Sequence, residues 1–150
     1  MKLKYPFLLL VALFAASCVS TKSTIKNVDE NTPIPKIENN TFIITEYSSD
    51  KKYGYNPDYP INVFFQNVKD EKINQQRFLN ALAGPNGEKL VFNKVETCCP
   101  FPAKRNAMGA GFLDVYQITW QGNPTPIRLY FNIYEKGPLQ VPVGFTLKKK

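Results

Sequence analysis

Two adjacent cysteines, Cys98 and Cys99, are the residues of this chain best suited to chemistry. Adjacent cysteines can close a vicinal disulfide, and strained, exposed disulfides are the more easily reduced ones. Two thiolates could instead bind a soft metal such as Cu(I), but after residue 18 only Met108 could add a further soft ligand. The pair could also form a disulfide to a second molecule or remain as buried apolar thiols. We expect no metal and no cofactor, and the sequence leaves the state of the pair open.

The sequence indicates no catalytic constellation. It contains 0 histidines, which removes the commonest general base and the Ser-His and Cys-His nucleophile systems. No carboxylate pair has a recognisable glycosidase spacing. Gly109-Ala110-Gly111 lacks the third glycine of a dinucleotide fingerprint and is interpreted as a turn. We therefore assign no catalytic residue.

Aromatic and basic side chains supply the candidate binding surface. The candidates are Tyr53, Tyr55, Tyr59, Lys104, Arg105, Tyr130 and Tyr134. The first three tyrosines could stack on a sugar, or they could simply pack a loop that leads into a strand. The basic pair beside two glycines could cradle an anion, or it could belong to a solvated loop. The last two tyrosines share the polar face of the strand predicted at 127–134, where a helix or a ligand could cover them. The opposite, apolar face of that strand carries Ile127, Leu129, Phe131 and Ile133.

The first eighteen residues carry an export signal. Lys2 and Lys4 precede the apolar run 7–14, and the small residues 15–17 precede Cys18. This pattern is typical of a secretory signal, and the apolar run is shorter than the ~20 residues that span a bilayer. A cysteine at this place resembles the lipobox of bacterial lipoproteins, although Ala15 replaces the commonest leucine. We expect cleavage after residue 17 and lipid on Cys18; a plain signal peptide or a signal anchor is the competing interpretation.

The signal is followed by a polar stretch and then by a single domain. Residues 18–40 show no sustained periodicity and predict a lipidated cysteine with a flexible tether, whose root-mean-square span would be roughly 25 Å. The domain is expected over residues 41–147, with a basic tail at 148–150. The formal net charge of +7 includes that tail and is too weakly concentrated to indicate nucleic-acid binding. The tail could touch anionic headgroups or act as a solubilising end.

The domain is predicted to be an α+β fold. Alternating or β-branched stretches predict strands at 42–47, 60–65, 89–95, 112–121, 127–134 and 141–147. A helix is predicted from Asp70 to about Ala83, with Phe78, Leu79 and Leu82 as its apolar stripe, before the helix stop at Gly84 and Pro85. The order is β-β-α-β-β-β-β, and the short final turns exclude parallel crossovers. We expect an antiparallel meander of about six strands, one helix on a face, and a long loop at 97–111.

Several segments resemble an uncharacterised family of small bacterial envelope lipoproteins. The similar segments are 53–55, 78–87, 98–101, 111–116 and 129–134. Members of that family often carry the name 2-dehydro-3-deoxyphosphooctonate aldolase. The resemblance implies an envelope lipoprotein without an established activity, or an enzyme of lipopolysaccharide-sugar metabolism if the name describes the chemistry. The barrel of the true aldolase is typically ~250 residues, which the predicted domain cannot form.

These observations predict a membrane-anchored envelope lipoprotein with a non-catalytic binding or scaffolding domain. We expect it on the periplasmic or surface side of a membrane, with the outer membrane favoured, and with an envelope protein or a glycan as partner. Two competing hypotheses remain: the sugar-metabolism enzyme, and a thiol-redox element that uses Cys98 and Cys99.

Overall fold

A computed structural model describes residues 23–65 and 72–149. The strands are β1 (Ile37–Glu38), β2 (Thr41–Phe42), β3 (Glu46–Tyr47), β4 (Ile61–Asn62), β5 (Leu82–Ala83), β6 (Leu90–Pro102), β7 (Ala110–Trp120), β8 (Asn123–Asn132), β9 (Gln140–Val141) and β10 (Thr146–Leu147). The helix α1 (Lys72–Ala81) lies between β4 and β5. The α+β class with one helix is therefore confirmed for this part of the chain. None of its helices is long and apolar enough to cross a membrane.

A four-stranded sheet in the order β4-β8-β7-β6 forms the centre of the fold. β6, β7 and β8 are joined as antiparallel hairpins, which is the meander that the short turns predicted. β4 pairs with β8 in parallel over two residues, a detail that the turn lengths could not reveal. Leu129 and Phe131 of β8 are fully buried, as the alternation of that strand predicted.

The helix covers one side of this sheet, which we call the front face. Phe78 of α1 meets Phe131 edge-to-face with ring centroids 5.7 Å apart, and both rings are fully buried. The predicted start at Asp70 lies outside the described residues. The predicted end is wrong by two residues, because Leu82 and Ala83 become β5 and pair with β10. The need to pair this extended backbone ends the helix before Gly84.

The long loop predicted at 97–111 is mostly strand. β6 continues to Pro102 and β7 begins at Ala110, so only residues 103–109 form a loop, which we call the β6–β7 loop. The prediction was wrong because β6 is an edge strand, where proline can be tolerated since one side of the backbone needs no partner. A register shift between Cys98 and Phe101 marks a bulge that accommodates the intervening residues.

The remaining strands are short pairs around the central sheet. β1 pairs antiparallel with β2, β5 antiparallel with β10, and β3 parallel with β9. The strands predicted at 42–47, 60–65 and 141–147 are present only as two-residue pieces. Isolated short pairs have little stability of their own. They are held by their packing against the front face.

The stretch predicted as a flexible tether belongs to the fold from Ser23 onward. Ile25 is buried, the Lys26 amide donates to the Asp58 carbonyl at 2.8 Å, and the Asp29 amide donates to the Lys136 carbonyl at 2.8 Å. We call residues 23–30 the N-terminal segment. It packs on the side of the sheet opposite to the helix, the back face, because apolar side chains there require a cover. The tether prediction is corrected for these residues.

Candidate functional site

The structure joins Cys98 and Cys99 in a vicinal disulfide within the bulge of β6. The backbone of Cys99 is left-handed, with a φ of 58°, a conformation that costs a residue other than glycine about 1–2 kcal/mol. Both cysteines are half-buried. Among the described residues, no group of three or more His, Cys, Asp or Glu side chains could hold a metal ion. The bulge and the prolines around it make this a stiff part of the edge strand.

Cys99 packs against a second apolar cluster on the back face. The buried members of this cluster are Ile25, Phe101, Ala103 and Leu113, with Val28, Cys99, Tyr130 and Tyr134 packed around them. Phe101 and Tyr134 meet edge-to-face at 6.0 Å. Gly111 lies beneath both rings, and a Cβ there would be 2.7 Å from Tyr134 Cδ2. The disulfide, the two strand tyrosines and the N-terminal segment therefore form one packed unit, which we call the hairpin end.

Arg105 joins the β6–β7 loop to the N-terminal segment, so the loop also belongs to the hairpin end. Its guanidinium donates to both carboxylate oxygens of Glu30, at 2.8 and 2.5 Å, and to the carbonyl of Tyr134 at 3.0 Å. It also lies over the ring of Phe64, 4.6 Å from the centroid. The hydrogen bond from Arg105 lowers the pKa of Glu30 below its ordinary value, and the same bond raises the pKa of Arg105. The predicted anion-binding arginine is thus already occupied by a carboxylate.

A groove of about 480 Å³ runs between the N-terminal segment and the β6–β7 loop. It is lined by Ser23, Ile25, Val28, Glu30, Lys104, Arg105 and Glu135. Glu135 is buried, and its Oε2 accepts hydrogen bonds from Ser23 Oγ at 2.9 Å and Asn132 Nδ2 at 3.1 Å. Lys104 is exposed. Glu30, Ser23 and Glu135 were not predicted as site residues, since nothing in their local sequence marks them.

The first three candidate tyrosines do not join the hairpin end. Tyr53 is 4% exposed in the front core, donates to the Pro138 carbonyl and accepts from the Gln140 amide, and burial raises its pKa. Tyr55 donates to the Val143 carbonyl at 2.5 Å, and burial raises the pKa of Tyr55 to about 12. A ring buried like that of Tyr53 cannot stack on a sugar. Of the two interpretations given to Tyr53, packing of the loop is the one that its burial fits.

Tyr59 is partly exposed, and its ring contacts a lysine side chain. The Nζ of Lys52 lies 5.3 Å from the centroid of its ring. Its backbone amide donates to the Asn56 carbonyl at 2.9 Å, within the turn that leads into β4. A cation over the ring occupies one face of it. Tyr55 and Tyr59 are both partly exposed, so two of the three tyrosines remain near the surface.

A buried polar network that the sequence did not reveal ties the helix to the sheet. The carboxylate of Asp114 accepts from Gln75 Nε2 at 2.8 Å and Thr97 Oγ1 at 3.1 Å, and pairs with Lys94 Nζ at 2.5 Å. Tyr116 donates its hydroxyl to Gln75 Oε1 at 2.9 Å. The sequence signal that could have revealed this network is that Asp114 lies on the same face of β7 as Tyr116 and Ile118. Every one of these polar groups is paired, so the network fixes the helix in place.

The hairpin end therefore combines the ion pair of Arg105 with Glu30, the edge-to-face rings of Phe101 and Tyr134, and the disulfide. Its carboxylates Glu30 and Glu135 are bonded within the fold, whereas Lys104 is exposed. In comparisons with family models, curated proteins and solved structures, no match to this chain was found. Function is therefore inferred from the geometry of the hairpin end.

Proposed function

We propose that the protein is a bacterial envelope lipoprotein, held to a membrane by lipid on Cys18, whose domain binds or scaffolds without catalysis. The supporting observation is that Arg105, Glu30 and Glu135 at the hairpin end are bonded to partners within the fold. Arg105 is bonded to Glu30, and Glu135 is bonded to Ser23. A catalytic acid or base must instead be directed at its substrate. An envelope protein or a glycan is the partner class that we propose.

Lipidation is tested by metabolic labelling with a palmitate analogue. The unsubstituted protein should take up label and Cys18→Ala should lose it, because the thiol of Cys18 is the proposed acylation site. The matched control is Cys98→Ala with Cys99→Ala, which removes the two remaining cysteines and should keep the label. Label that survives Cys18→Ala would refute the anchor.

The enzyme hypothesis is tested with the substrates that the name of the similar family implies. Purified protein, incubated with phosphoenolpyruvate and arabinose 5-phosphate, should release no phosphate. The physical reason is that a (β/α)₈ barrel needs eight helices, whereas the described residues form one. Phosphate release that scales with protein concentration would overturn the non-catalytic proposal. Affinity capture from envelope extracts then identifies the partner.

A second candidate function, a thiol-redox element, is favoured by the disulfide between Cys98 and Cys99. A reductant that supplies two electrons and two protons would convert it to two thiols and add about 2 Da to the intact mass. The test compares intact mass before and after exposure to glutathione at physiological ratios. Complete resistance, with reduction only by strong reductant, would mark the disulfide as structural and end the redox proposal.

A further inference from the structure

The chain enters the described fold beside the β6–β7 loop. Ser23 and Lys104 line the same groove, so the first described residue faces this loop. Ile25, two residues later, packs with Ala103 at the start of the loop. The entry point of the chain and the β6–β7 loop therefore lie at the same end of the domain.

The distance from Cys18 to this entry point is short. Four residues separate Cys18 from Ser23. A fully extended chain covers at most ~3.6 Å per residue, so the two Cα atoms can be no farther apart than about 18 Å. This upper limit is smaller than the root-mean-square span of roughly 25 Å that a flexible tether over residues 19–40 would have. A lipid on Cys18 would hold the hairpin end within that distance of the headgroups.

The β6–β7 loop presents the chemistry that suits a lipid surface. Met108 is 78% exposed, the most exposed of the large apolar side chains in the described part of the chain. Lys104 is exposed and forms no ion pair with any described residue. The loop is closed by the Ala103 amide donating to the Gly109 carbonyl at 3.0 Å, so it projects as a fixed turn. An apolar tip beside a cation favours the headgroup boundary of an anionic bilayer.

We propose that the β6–β7 loop rests on the membrane, with Met108 in the headgroup boundary and Lys104 against anionic headgroups, and thereby sets the orientation of the domain. This inference rests on the proposed lipid anchor at Cys18. It assigns lipid to the hairpin end and leaves the remaining surface to an envelope protein or glycan. The carboxylate of Glu30 beside the loop is neutralised by Arg105 and does not oppose the contact.

The basic tail does not share this contact. The Lys148 amide donates to the carbonyl of Ala81 at the end of α1, so the tail leaves from the front face. The N-terminal segment covers the back face. The tail therefore leaves from the side of the sheet opposite to the one that the N-terminal segment covers.

The test uses tryptophan depth measurements on the full, processed lipoprotein in vesicles that contain brominated lipids. Met108→Trp reports the loop, and Gln121→Trp in the β7–β8 turn is the matched control. β7 has 11 residues, which separates its two ends by roughly 35 Å at about 3.3 Å per residue. Trp120 is present in every variant, and its signal is subtracted with the unsubstituted protein. Vesicles are made of phosphatidylcholine alone or of phosphatidylcholine and phosphatidylglycerol in equal parts.

We expect the added tryptophan of Met108→Trp to emit at shorter wavelength and to be quenched, and that of Gln121→Trp to remain unquenched. Adding Lys104→Glu to Met108→Trp should lower the equilibrium constant for loop contact on the anionic vesicles, obtained from the quenched fraction, by at least about fivefold, since the loss of one basic residue near such a surface alone costs ~1 kcal/mol. On neutral vesicles it should change little. Urea unfolding verifies that each variant is folded.

The outcomes separate the two proposals. Failure of the processed, unsubstituted protein to float with vesicles would refute the lipid anchor, and with it the basis of this inference. Flotation with equal quenching of Met108→Trp and Gln121→Trp would refute the inference and leave the anchor intact. Unchanged quenching after Lys104→Glu on anionic vesicles would refute the contact assigned to that lysine.

Discussion

Replacement of Arg105 by alanine should loosen the N-terminal segment and lower the free energy of unfolding by about 2–3 kcal/mol. The substitution removes three interactions at once. These are the bidentate ion pair with Glu30, the hydrogen bond to the Tyr134 carbonyl and the cation–π contact with the ring of Phe64. All three join the β6–β7 loop to other parts of the chain.

The magnitude follows from the exposure of each partner. The side chains of Arg105 and Glu30 are 34% and 44% exposed, so solvent screening limits their ion pair to about 0.5–1 kcal/mol. A hydrogen bond to a carbonyl adds about 1 kcal/mol, and a guanidinium over a ring adds about 0.5–1 kcal/mol. Glu30→Gln removes only the ion pair and should cost under about 1 kcal/mol. Arg105→Ala should therefore cost at least twice as much as Glu30→Gln.

Urea unfolding and amide hydrogen exchange together check this prediction. Arg105→Ala should speed exchange of the Asp29 amide, which bonds to the Lys136 carbonyl, more than exchange of amides within β7. The matched control is Arg128→Ala, whose guanidinium forms a more exposed pair with Glu96 at 3.5 Å and should cost about 0.5 kcal/mol or less. If Arg105→Ala and Arg128→Ala lower the free energy of unfolding equally, and exchange of the Asp29 amide is unchanged, Arg105 does not hold the N-terminal segment in place.

The same ion pair predicts a pH dependence. Arg105 lowers the pKa of Glu30 in the folded protein, whereas the unfolded chain has the ordinary value of about 4.3. The unfolded state therefore binds the proton at higher pH, and the pair stabilises the fold above that ordinary value. This contribution is lost as the pH falls through the lowered pKa. The stability difference between the unsubstituted protein and Glu30→Gln should be full at neutral pH and vanish in strong acid; a constant difference would contradict the assignment.

Three further substitutions test the packing around the site, each by urea unfolding. Asp114→Ala should cost about 1–3 kcal/mol, because it leaves the buried amide of Gln75 without its acceptor, whereas the exposed Lys94 and Thr97 can turn to water; a cost below about 0.5 kcal/mol would contradict the network. Phe78→Ala should cost about 3–5 kcal/mol, since the ring is fully buried against Phe131, and a small cost would mean that the helix is not docked there. Gly111→Ala should cost about 1–3 kcal/mol because its Cβ would overlap Tyr134, and adding Tyr134→Leu should recover part of the loss.

The central sheet and the helix could be predicted because their signals are local. The alternation in β8 correctly placed Leu129 and Phe131 in the core, and the helical spacing correctly placed Phe78 and Leu79 there. Side-chain periods of two and 3.6 residues follow from backbone geometry alone. These periods do not depend on which element packs against the apolar face of the strand or helix. Such elements are predictable without knowledge of the tertiary structure.

The hairpin end could not be predicted because its parts meet over long sequence separations. Arg105 and Glu30 are 75 residues apart, and Ser23 and Glu135 are 112 residues apart. The N-terminal segment is held by backbone hydrogen bonds to Asp58 and Lys136, which any residue type could form. Prolines in β6 favoured a loop in the sequence, and the edge position that tolerates them is a tertiary property. The individual candidates were therefore named without their actual partners.

The proposed lipid on Cys18 would couple membrane attachment to folding. The first residues that the structure describes, 23–30, cover the back face, and Ile25 among them is buried with Phe101 and Leu113. A force or an orientation set by that lipid would act on the N-terminal segment, because only four residues lie between Cys18 and Ser23. The ion pair of Arg105 with Glu30 opposes that effect because it joins the N-terminal segment to the β6–β7 loop. A variant that weakens this ion pair should therefore destabilise the domain and, in the anchored protein, also widen its range of orientations on the membrane. A flexible tether of 22 residues would keep these two effects separate.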